Sequence, residues 1–380
     1  MTAEGLACRG CHRGSPVLVA DLGDVPASDL YPAADDPGPD PRWPLTLHAC
    51  PECGLVQLGP GDGPGPETPA HVVSATARAH GATTVANVVA GESIPPGTTF
   101  REHDSGHGDT WVAEWERHGL VAVSEPGPVG LVADVHGLMH ASDLGVALDE
   151  LAAEVAPGGA LVAEFFHVLP MVEGTLVDTV RHAHFTYLSV DTAARLLADR
   201  GLTVTSATEV PSYGGSVRIT ARHKAEGPAV DPSVNRLVTR ERAAGVTTVE
   251  GIRAFGERVA DRAGEVSRRV AAWRDKGCRV AAYGAPSKAP VLAAVAGLDG
   301  LVPYTVDLSA AKHGRRIPGT HIPIRPVEHL IADRPDVVLL FTWDLAEEIR
   351  SGLGARRTDD GWDPVLFAPL PEPRELQLVP

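Results

Sequence analysis

Residues 98–135 read T-T-F-R-E-H-D-S-G-H-G-D-T-W-V-A-E-W-E-R-H-G-L-V-A-V-S-E-P-G-P-V-G-L-V-A-D-V, and the fold turns on how they are parsed. Thr98–His103 has the composition of a short strand, and the H-D-S-G-H-G-D run after it reads as a loop. Trp111, Val112, Trp115 and Leu120 then recur at the spacing of one helix face. Leu120–Ser124 is a second strand, closed by Glu125. Strand, glycine-containing turn, helix, and strand ending in an acid is how a Rossmann-like unit holds an adenosine ribose, the carboxylate accepting from the hydroxyls. Glu102, Asp104, Gly106 and Glu125 are therefore the candidate cofactor-binding residues. The next strand, Gly130–Val135, starts only five residues after Glu125. Neighbouring parallel strands need a crossover of about a dozen residues or more, so the unit is expected to be shortened at this point.

Working toward the C-terminus, Ser142–Ala156 reads as a helix with Ser142 as its N-cap and Pro157-Gly158-Gly159 as its stop. An apolar strand, Ala160–Phe166, carries Glu164 inside it. Residues 180–189, V-R-H-A-H-F-T-Y-L-S, place His182 and His184 beside the hydroxyl of Tyr187. Imidazole titrates near neutrality, so a histidine held in a cleft can abstract a proton without a large pKa shift, and His184 is the candidate base. A helix over Val190–Arg200 and a strand over Thr203–Val210 lead to the loop P-S-Y-G-G-S. There Gly214 and Gly215 permit close backbone approach to a ligand, Tyr213 offers a hydroxyl, and Ser216 with Arg218 could meet a charge. Residues 226–233 read as a linker, and Thr248–Lys276 as one long helix with Ile252, Phe255, Val259, Val266, Val270 and Trp273 at helical spacing.

A second α/β unit follows: strand Cys278–Tyr283, turn G-A-P-S-K, a helix to about Ala296, strands Val302–Asp307 and Val337–Phe341, helix Asp344–Leu353 and strand Val365–Ala368. Gly284 with Ser287 and Lys288 offers backbone amides, a hydroxyl and an ammonium to a phosphate. Lys312, Arg315 and Arg316, just before I-P-G-T-H and its His321, add local positive charge.

Toward the N-terminus, Cys8, Cys11, Cys50 and Cys53 form two Cys-x-x-Cys pairs. Two such turns brought together give the four-sulfur shell that Zn(II) prefers, a closed structural site with no open position for chemistry. Short strands are expected at Val17–Ala20 and Leu55–Leu58, and a Gly/Pro-rich linker from Gly59. The formal charge of -16 in 380 residues argues against nucleic-acid or anionic-membrane partners. No apolar run reaches the roughly 20 residues of a membrane span, and the N-terminus lacks the pattern of a signal peptide, so a cytoplasmic protein is expected. The fold class is α/β: a zinc-binding module over 1–70, a shortened Rossmann-like domain over 71–225, and a long helix with a second Rossmann-like domain over 226–380.

C-R-G-C with C-P-E-C-G-L-V-Q-L, H-F-T-Y-L-S, V-P-S-Y-G-G-S-V-R, A-A-Y-G-A-P-S-K, Y-T-V-D and P-G-T-H-I-P-I-R-P together resemble the sugar C-methyltransferases that act on thymidine-diphosphate 4-keto deoxysugars in antibiotic biosynthesis. The resemblance spans nearly the whole chain. It implies a zinc-binding N-terminal domain, a central S-adenosylmethionine domain and a C-terminal Rossmann-like domain, with the sugar nucleotide between the last two. It also implies proton removal beside the ketone by His184, then attack of the enolate on the methyl group.

The departures lie in the donor domain. E-H-D-S-G-H-G stands where the family has a loop like E-I-G-S-N-D-G, the helix-strand-helix expected after Glu125 is absent, Arg181 and Ala183 replace a tyrosine and a glutamate beside the base, and Tyr213 replaces a histidine. An enolate without an electrophile can only be reprotonated. The expectation is thus donor-independent isomerase-type chemistry on a thymidine-diphosphate keto sugar: epimerisation, ketoisomerisation or ring-form rearrangement. His184 would be the base, His182 a further catalytic candidate and Tyr213 or Tyr187 the proton donor, with Arg218, Ser216, Gly284, Ser287, Lys288, Arg316 and His321 anchoring substrate. Methyl transfer from S-adenosylmethionine is the alternative, and a non-catalytic scaffold a third reading. His103, Asp104, His107, His136 and His140 form a candidate second divalent-metal site in the vacated pocket. A monomer or homodimer is expected.

Overall fold

The computed structural model describes residues 6–60, 63, 75–104, 110–356 and 361–378. It is an α/β protein built on three sheets. The N-terminal chain forms β1 (Val17–Pro26), β2 (Arg42–Ala49) and β3 (Val56–Leu58), an antiparallel meander. The loop from residue 59 lies almost wholly outside the described residues.

The central sheet is built from α1 (Ala75–Gly91), β4 (Thr99–Asp104), α2 (Val112–Arg117), β5 (Val121–Ala122), β6 (Val129–Val135), α3 (Leu144–Glu154), β7 (Val155–Phe166), α4 (Val168–Glu173), β8 (Thr186–Tyr187), α5 (Val190–Ala198), β9 (Leu202–Val210) and β10 (Ser216–His223). Six of these strands form one sheet in the order β5-β4-β6-β7-β10-β9, parallel from β5 to β7 and antiparallel at β10 and β9. β6 and β7 are nearly continuous apolar runs because both their faces are covered, as central strands of a parallel sheet require. Alternation sorts their side chains: Leu131, Ala133 and Val135 face Val85, Trp111 and Trp115 of the α1 and α2 layer, while Val132, Leu161 and Phe165 face the layer of α3 and α5.

The eighth strand leaves this sheet. Val56 and Gln57 of β3 pair with Tyr187 and Thr186, so β8 completes the N-terminal sheet in the order β1-β2-β3-β8. The segment carrying the two histidines is therefore fastened to the cysteine-bearing module by a backbone ladder.

Beyond β10 come α6 (Pro232–Ala243) and the 27-residue α7 (Val249–Asp275), capped by Thr248, whose hydroxyl accepts from Gly251 N–H. α7 turns Ile252, Phe255, Val259, Val266 and Val270 into the core that it shares with β1. α6 packs instead on β9, with Val234 and Leu237 buried in the core of the central sheet. The third sheet comprises β11 (Val280–Tyr283), α8 (Ala289–Val295), β12 (Thr305–Val306), β13 (Ile324–Arg325), α9 (Val327–Asp333), β14 (Val337–Leu340), α10 (Ala346–Gly354), β15 (Val365–Ala368) and β16 (Arg374–Leu376). Its order, β13-β12-β11-β14-β15-β16, is that of a doubly wound nucleotide-binding fold, with the chain reversing direction between β11 and β14.

Several boundaries differ from expectation for local reasons. Asp143, not Ser142, caps α3, its carboxylate accepting from Val146 N–H, and the Pro157-Gly158-Gly159 run lies inside β7, where Gly158 takes a φ of +74°. Ser216–Arg218 belongs to strand β10, and Pro232, expected in a linker, starts α6. Between β5 and β6 only Val123–Pro128 intervenes, so the shortened crossover is a feature of the fold.

Candidate active site and metal centre

Each Cys-x-x-Cys pair sits on a tight turn, with Cys8 O accepting from His12 N–H and Cys50 O from Gly54 N–H. The ligand atoms of Cys8, Cys11, Cys50 and Cys53 all lie within 4.8 Å of one another, the closest pairs being Cys8 with Cys53 at 3.5 Å and Cys11 with Cys50 at 3.8 Å. A tetrahedron of Zn–S bonds of about 2.3 Å has S···S edges of roughly 3.8 Å, so the shell fits zinc without rearrangement. Packed this closely the sulfurs cannot all ionise unaided. Hydrogen bonds from Cys53 and Cys8 pull Cys50 down to about 2, whereas the bond with Cys50 pushes Cys8 up to about 12 and raises Cys53 as well. A dication is what lets all four act as thiolates.

A turn at Arg181–His184, closed by His184 N–H on Arg181 O at 3.2 Å, sorts the two histidines. Ala183 occupies it with a φ of +69°, a left-handed conformation that L-residues rarely adopt. His182 is buried against the N-terminal sheet, its Nε2 3.3 Å from Pro44 O and its ring edge-on to Trp43. Burial pushes its imidazole pKa down. His184 is turned inward and is 1% exposed. Its ring meets His140 edge to face at 4.8 Å and Phe166 at 5.2 Å. His182 therefore does not meet His184, and the imidazole packed on His184 is that of His140.

Phe166 links this pair to a second polar group. Its ring contacts His136 at 5.5 Å and Tyr213 at 5.7 Å. Below them lies Glu164, 0% exposed on β7, which shares a 2.6 Å hydrogen bond with His80 Nε2 of α1. His136 Nε2 at 3.8 Å and Arg218 Nη1 at 3.7 Å complete its surroundings. Arg218 stands directly across the sheet from Glu164 and also donates to Thr84 Oγ1, so it neutralises a buried carboxylate where a substrate anchor was expected. Buried Ser216 has its Oγ 3.5 Å from His136 Nε2. His136 and Tyr213 both have positive φ, +59° and +57°. With Ala183, three non-glycine residues held in this unfavourable region surround one site, a concentration typical of functional centres.

The histidines of the expected second metal site do not converge. His103 Nε2 lies 2.7 Å from Glu154 on the α3 side of the sheet, whereas His136 and His140 flank Phe166 and His184. Gly106, His107 and the Asp104 side chain lie outside the described residues. Among the described residues the four cysteines are the metal-holding group found.

A small cleft lies in the loops around the end of β7, lined by Phe166, Met171, Leu176, Tyr187, Tyr213 and Gly214 among others. The Tyr187 hydroxyl is engaged on both sides, accepting from Arg181 N–H at 3.1 Å and donating to Thr179 O at 3.5 Å, and burial raises its pKa. Trp343, just past β14 at the reversal point of the C-terminal sheet, packs so closely on Gly214 that a Cβ there would lie 2.7 Å from the indole. Trp343 Nε1 donates to buried Asp178, and the Lys288 ammonium sits 4.2 Å above the Trp343 ring and 2.6 Å from Asp344. Gly284, with a φ of +93°, closes the turn after β11, and Ser287 donates to Asp29 of the N-terminal module.

Gly284, Ser287 and Lys288 are thus brought to the carboxyl edge of the sheet, where this fold receives ligands. Arg316 and His321 are not. Arg316 is 3% exposed with both terminal nitrogens on Asp40, and His321 pairs with Asp299 in the loops leading into β12 and β13, at the opposite edge.

On the donor side, Glu102 is occupied: its carboxylate accepts from Trp111 N–H, Trp115 Nε1 and Thr110 Oγ1, anchoring α2. Glu125 is exposed just after β5. Sequence reading passed over His80, Phe166, Asp178 and Trp343. Glu164 was visible as a charge inside an apolar strand, but its partners come from α1, β6 and β10, and no local pattern announces them.

These features define an α/β scaffold that joins a four-cysteine module to two Rossmann-type sheets. Residues 211–369 match the family model for the C-methyltransferase C-terminal domain, and residues 8–60 match that for a zinc-binding domain. In these two segments the chain is similar to the C-methyltransferases. A relative, C-methyltransferase NovU from Streptomyces niveus, is 31% identical over 252 residues, which is 64% of this chain and 59% of the relative's length. Among solved structures, magnesium protoporphyrin IX methyltransferase from Synechocystis PCC 6803, with bound S-adenosylhomocysteine, is 13% identical with a TM-score of 0.29, over 38% of this chain and 82% of that one. A 1,6-didemethyltoxoflavin-N1-methyltransferase from Burkholderia thailandensis is 16% identical with a TM-score of 0.28, over 44% and 95%. The expectation of donor-independent isomerisation finds no support in the family-model match or in the Streptomyces niveus relative, both of which carry a C-methyltransferase description. Among the described residues no helix is long and apolar enough to cross a membrane.

Proposed function

We propose that the chain is a C-methyltransferase for a nucleotide-linked keto sugar, with the thymidine-diphosphate 4-keto deoxyhexoses as substrate class. The observation that carries this reading is the placement of His184. It is a buried imidazole against His140 and Phe166, a residue that lines the cleft whose Gly214 packs on Trp343, in a chain similar to C-methyltransferases. His184 takes the proton next to the ketone, and the apolar wall of Phe166, Met171 and Leu176 keeps bulk water from the carbanion. Tyr213, whose strained backbone turns its ring onto His136 and Phe166, is placed to donate to the developing oxyanion. Lys288 and the amides of the turn at Gly284 receive the diphosphate, Lys288 exchanging Asp344 for the ligand.

S-Adenosylmethionine, when bound, supplies an electrophilic methyl group. Exposed Glu125, shortly after β5, fits the ribose hydroxyls, while the short Val123–Pro128 connection has no helix to contribute contacts to an adenine. That short connection is the one observation favouring a second reading, proton abstraction followed by reprotonation, which isomerises the sugar. Calorimetric titration of S-adenosylhomocysteine into the zinc-loaded protein separates the two. Micromolar binding that Glu125→Ala weakens supports methyl transfer. No heat, with the nucleotide sugar still binding, supports isomerisation.

A further inference from the structure

We propose that the zinc knuckle positions the His140–His184 pair, and that Arg9, between Cys8 and Cys11, is the positioning residue that does so. The inference rests on the reading of His184 as the base. Arg9 is tied to both imidazole-bearing segments. Its Nη1 donates to Ser142 O at 2.6 Å, two residues past His140, and its guanidinium lies 4.9 Å over the ring of Phe185, the residue after His184. Its carbonyl accepts from Gly145 N–H at 2.8 Å, and its own N–H donates to buried Gln57 Oε1 at 2.9 Å.

The rest of the knuckle reinforces the grip. His12 Nε2 lies 2.8 Å from Asp143, the cap of α3. Gln57, besides holding Arg9, pairs across the sheet with Thr186, and Leu58 N–H donates to Phe185 O at 2.9 Å. Phe185 N–H in turn donates to Met139 O at 2.7 Å, which joins the His184 segment to the His140 segment directly.

Both histidines lie on short irregular pieces, His140 at the end of a single 3₁₀ turn and His184 between a tight turn and a two-residue strand. Such segments do not fix a ring by their own hydrogen bonding, and small misplacements of a base cost rate steeply. A closed four-sulfur centre is rigid, and Arg9 carries that rigidity from the metal to the two rings.

The test uses Arg9→Met and Arg9→Lys in the full chain. Zinc content, the imidazole resonances of His140 and His184, and wash-out of the α-proton of a thymidine-diphosphate 4-keto-6-deoxyhexose in D2O are followed together. The expected result is zinc retained, both imidazole resonances shifted, and exchange slowed roughly 10- to 100-fold in kcat with KM little changed, partly restored by Arg9→Lys. Zinc retained with resonances and exchange unmoved would overturn the proposal. If Arg9→Met loses zinc, Phe185→Leu decides with the metal site untouched: shifted histidine resonances support the coupling, unshifted ones overturn it. If the wild-type protein exchanges no proton, the functional reading fails, and the resonances still judge the positioning role.

Discussion

The indole Nε1 of Trp343 donates to Oδ2 of fully buried Asp178 at 2.7 Å, tying the reversal point of the C-terminal sheet to the segment that leads to His184. Burial raises the Asp178 carboxyl to about 6 despite the nearby Lys288 ammonium and the bond from Trp343. The folded state therefore binds this proton more tightly than the unfolded chain. The carboxylate destabilises the fold fully above about pH 6, and the penalty fades as pH falls toward the ordinary value of 3.8. Asp178→Asn is expected to stabilise the protein at pH 8 by on the order of 1–3 kcal/mol, with the difference shrinking between pH 6 and pH 4. Thermal unfolding across that range checks it; a variant less stable than wild type at pH 8 contradicts it.

Gly214 has a φ of +88°, and a side chain there would meet Trp343. Gly214→Ala should cost about 1–3 kcal/mol and reduce kcat/KM, because the indole that walls the cleft must shift. Gly227, with a φ of +59° and nothing near its Cβ position, supplies the control. Gly227→Ala should cost roughly 1 kcal/mol and leave kinetics unchanged. Equal kinetic effects of the two substitutions would disprove the close packing.

The two histidines of residues 180–189 should separate cleanly. His184→Gln is expected to lower turnover by about 10²- to 10⁴-fold, the usual contribution of a positioned base. His182→Gln, turned toward Pro44 and Trp43, should stay within a few-fold of wild type. Steady-state kinetics on both variants give the comparison, and comparable losses would contradict the geometry.

Arg316 and Asp40 form a two-pronged pair between the N-terminal module and the C-terminal sheet, at 2.5 and 2.8 Å. The hydrogen bond from Arg316 holds the Asp40 carboxyl below its ordinary value, so this contribution is present above about pH 4 and is lost as pH falls through the depressed value. Asp40→Asn leaves a buried guanidinium without its counter-charge and should cost on the order of 2–4 kcal/mol with KM for the nucleotide sugar unchanged. Urea unfolding and kinetics on one preparation check both halves.

Much of the fold was legible in sequence because it rests on local pattern. The paired Cys-x-x-Cys turns, the periodicity of residues 248–276 and the strand-turn-helix at Gly284 each announce themselves within a few residues, and the five residues after Glu125 gave the shortened crossover. What could not be read depends on long-range placement. The pairing of β8 with β3 joins residues over a hundred positions apart, and Arg316 looked like an anion site until Asp40 was found opposite it. The separate placements of His184 and His182 depend on a left-handed alanine, a conformation no sequence rule assigns to that residue.

The central claim is that His184 generates a carbanion that is then methylated. The most direct measurement is the mass of the sugar product after incubation of a thymidine-diphosphate 4-keto-6-deoxyhexose with the zinc-loaded protein and S-adenosylmethionine in D2O. The account predicts a product heavier by one carbon-bound methyl group, absent with His184→Gln. A product carrying only deuterium, at a rate indifferent to S-adenosylmethionine, would contradict methyl transfer and leave isomerisation as the chemistry of this site.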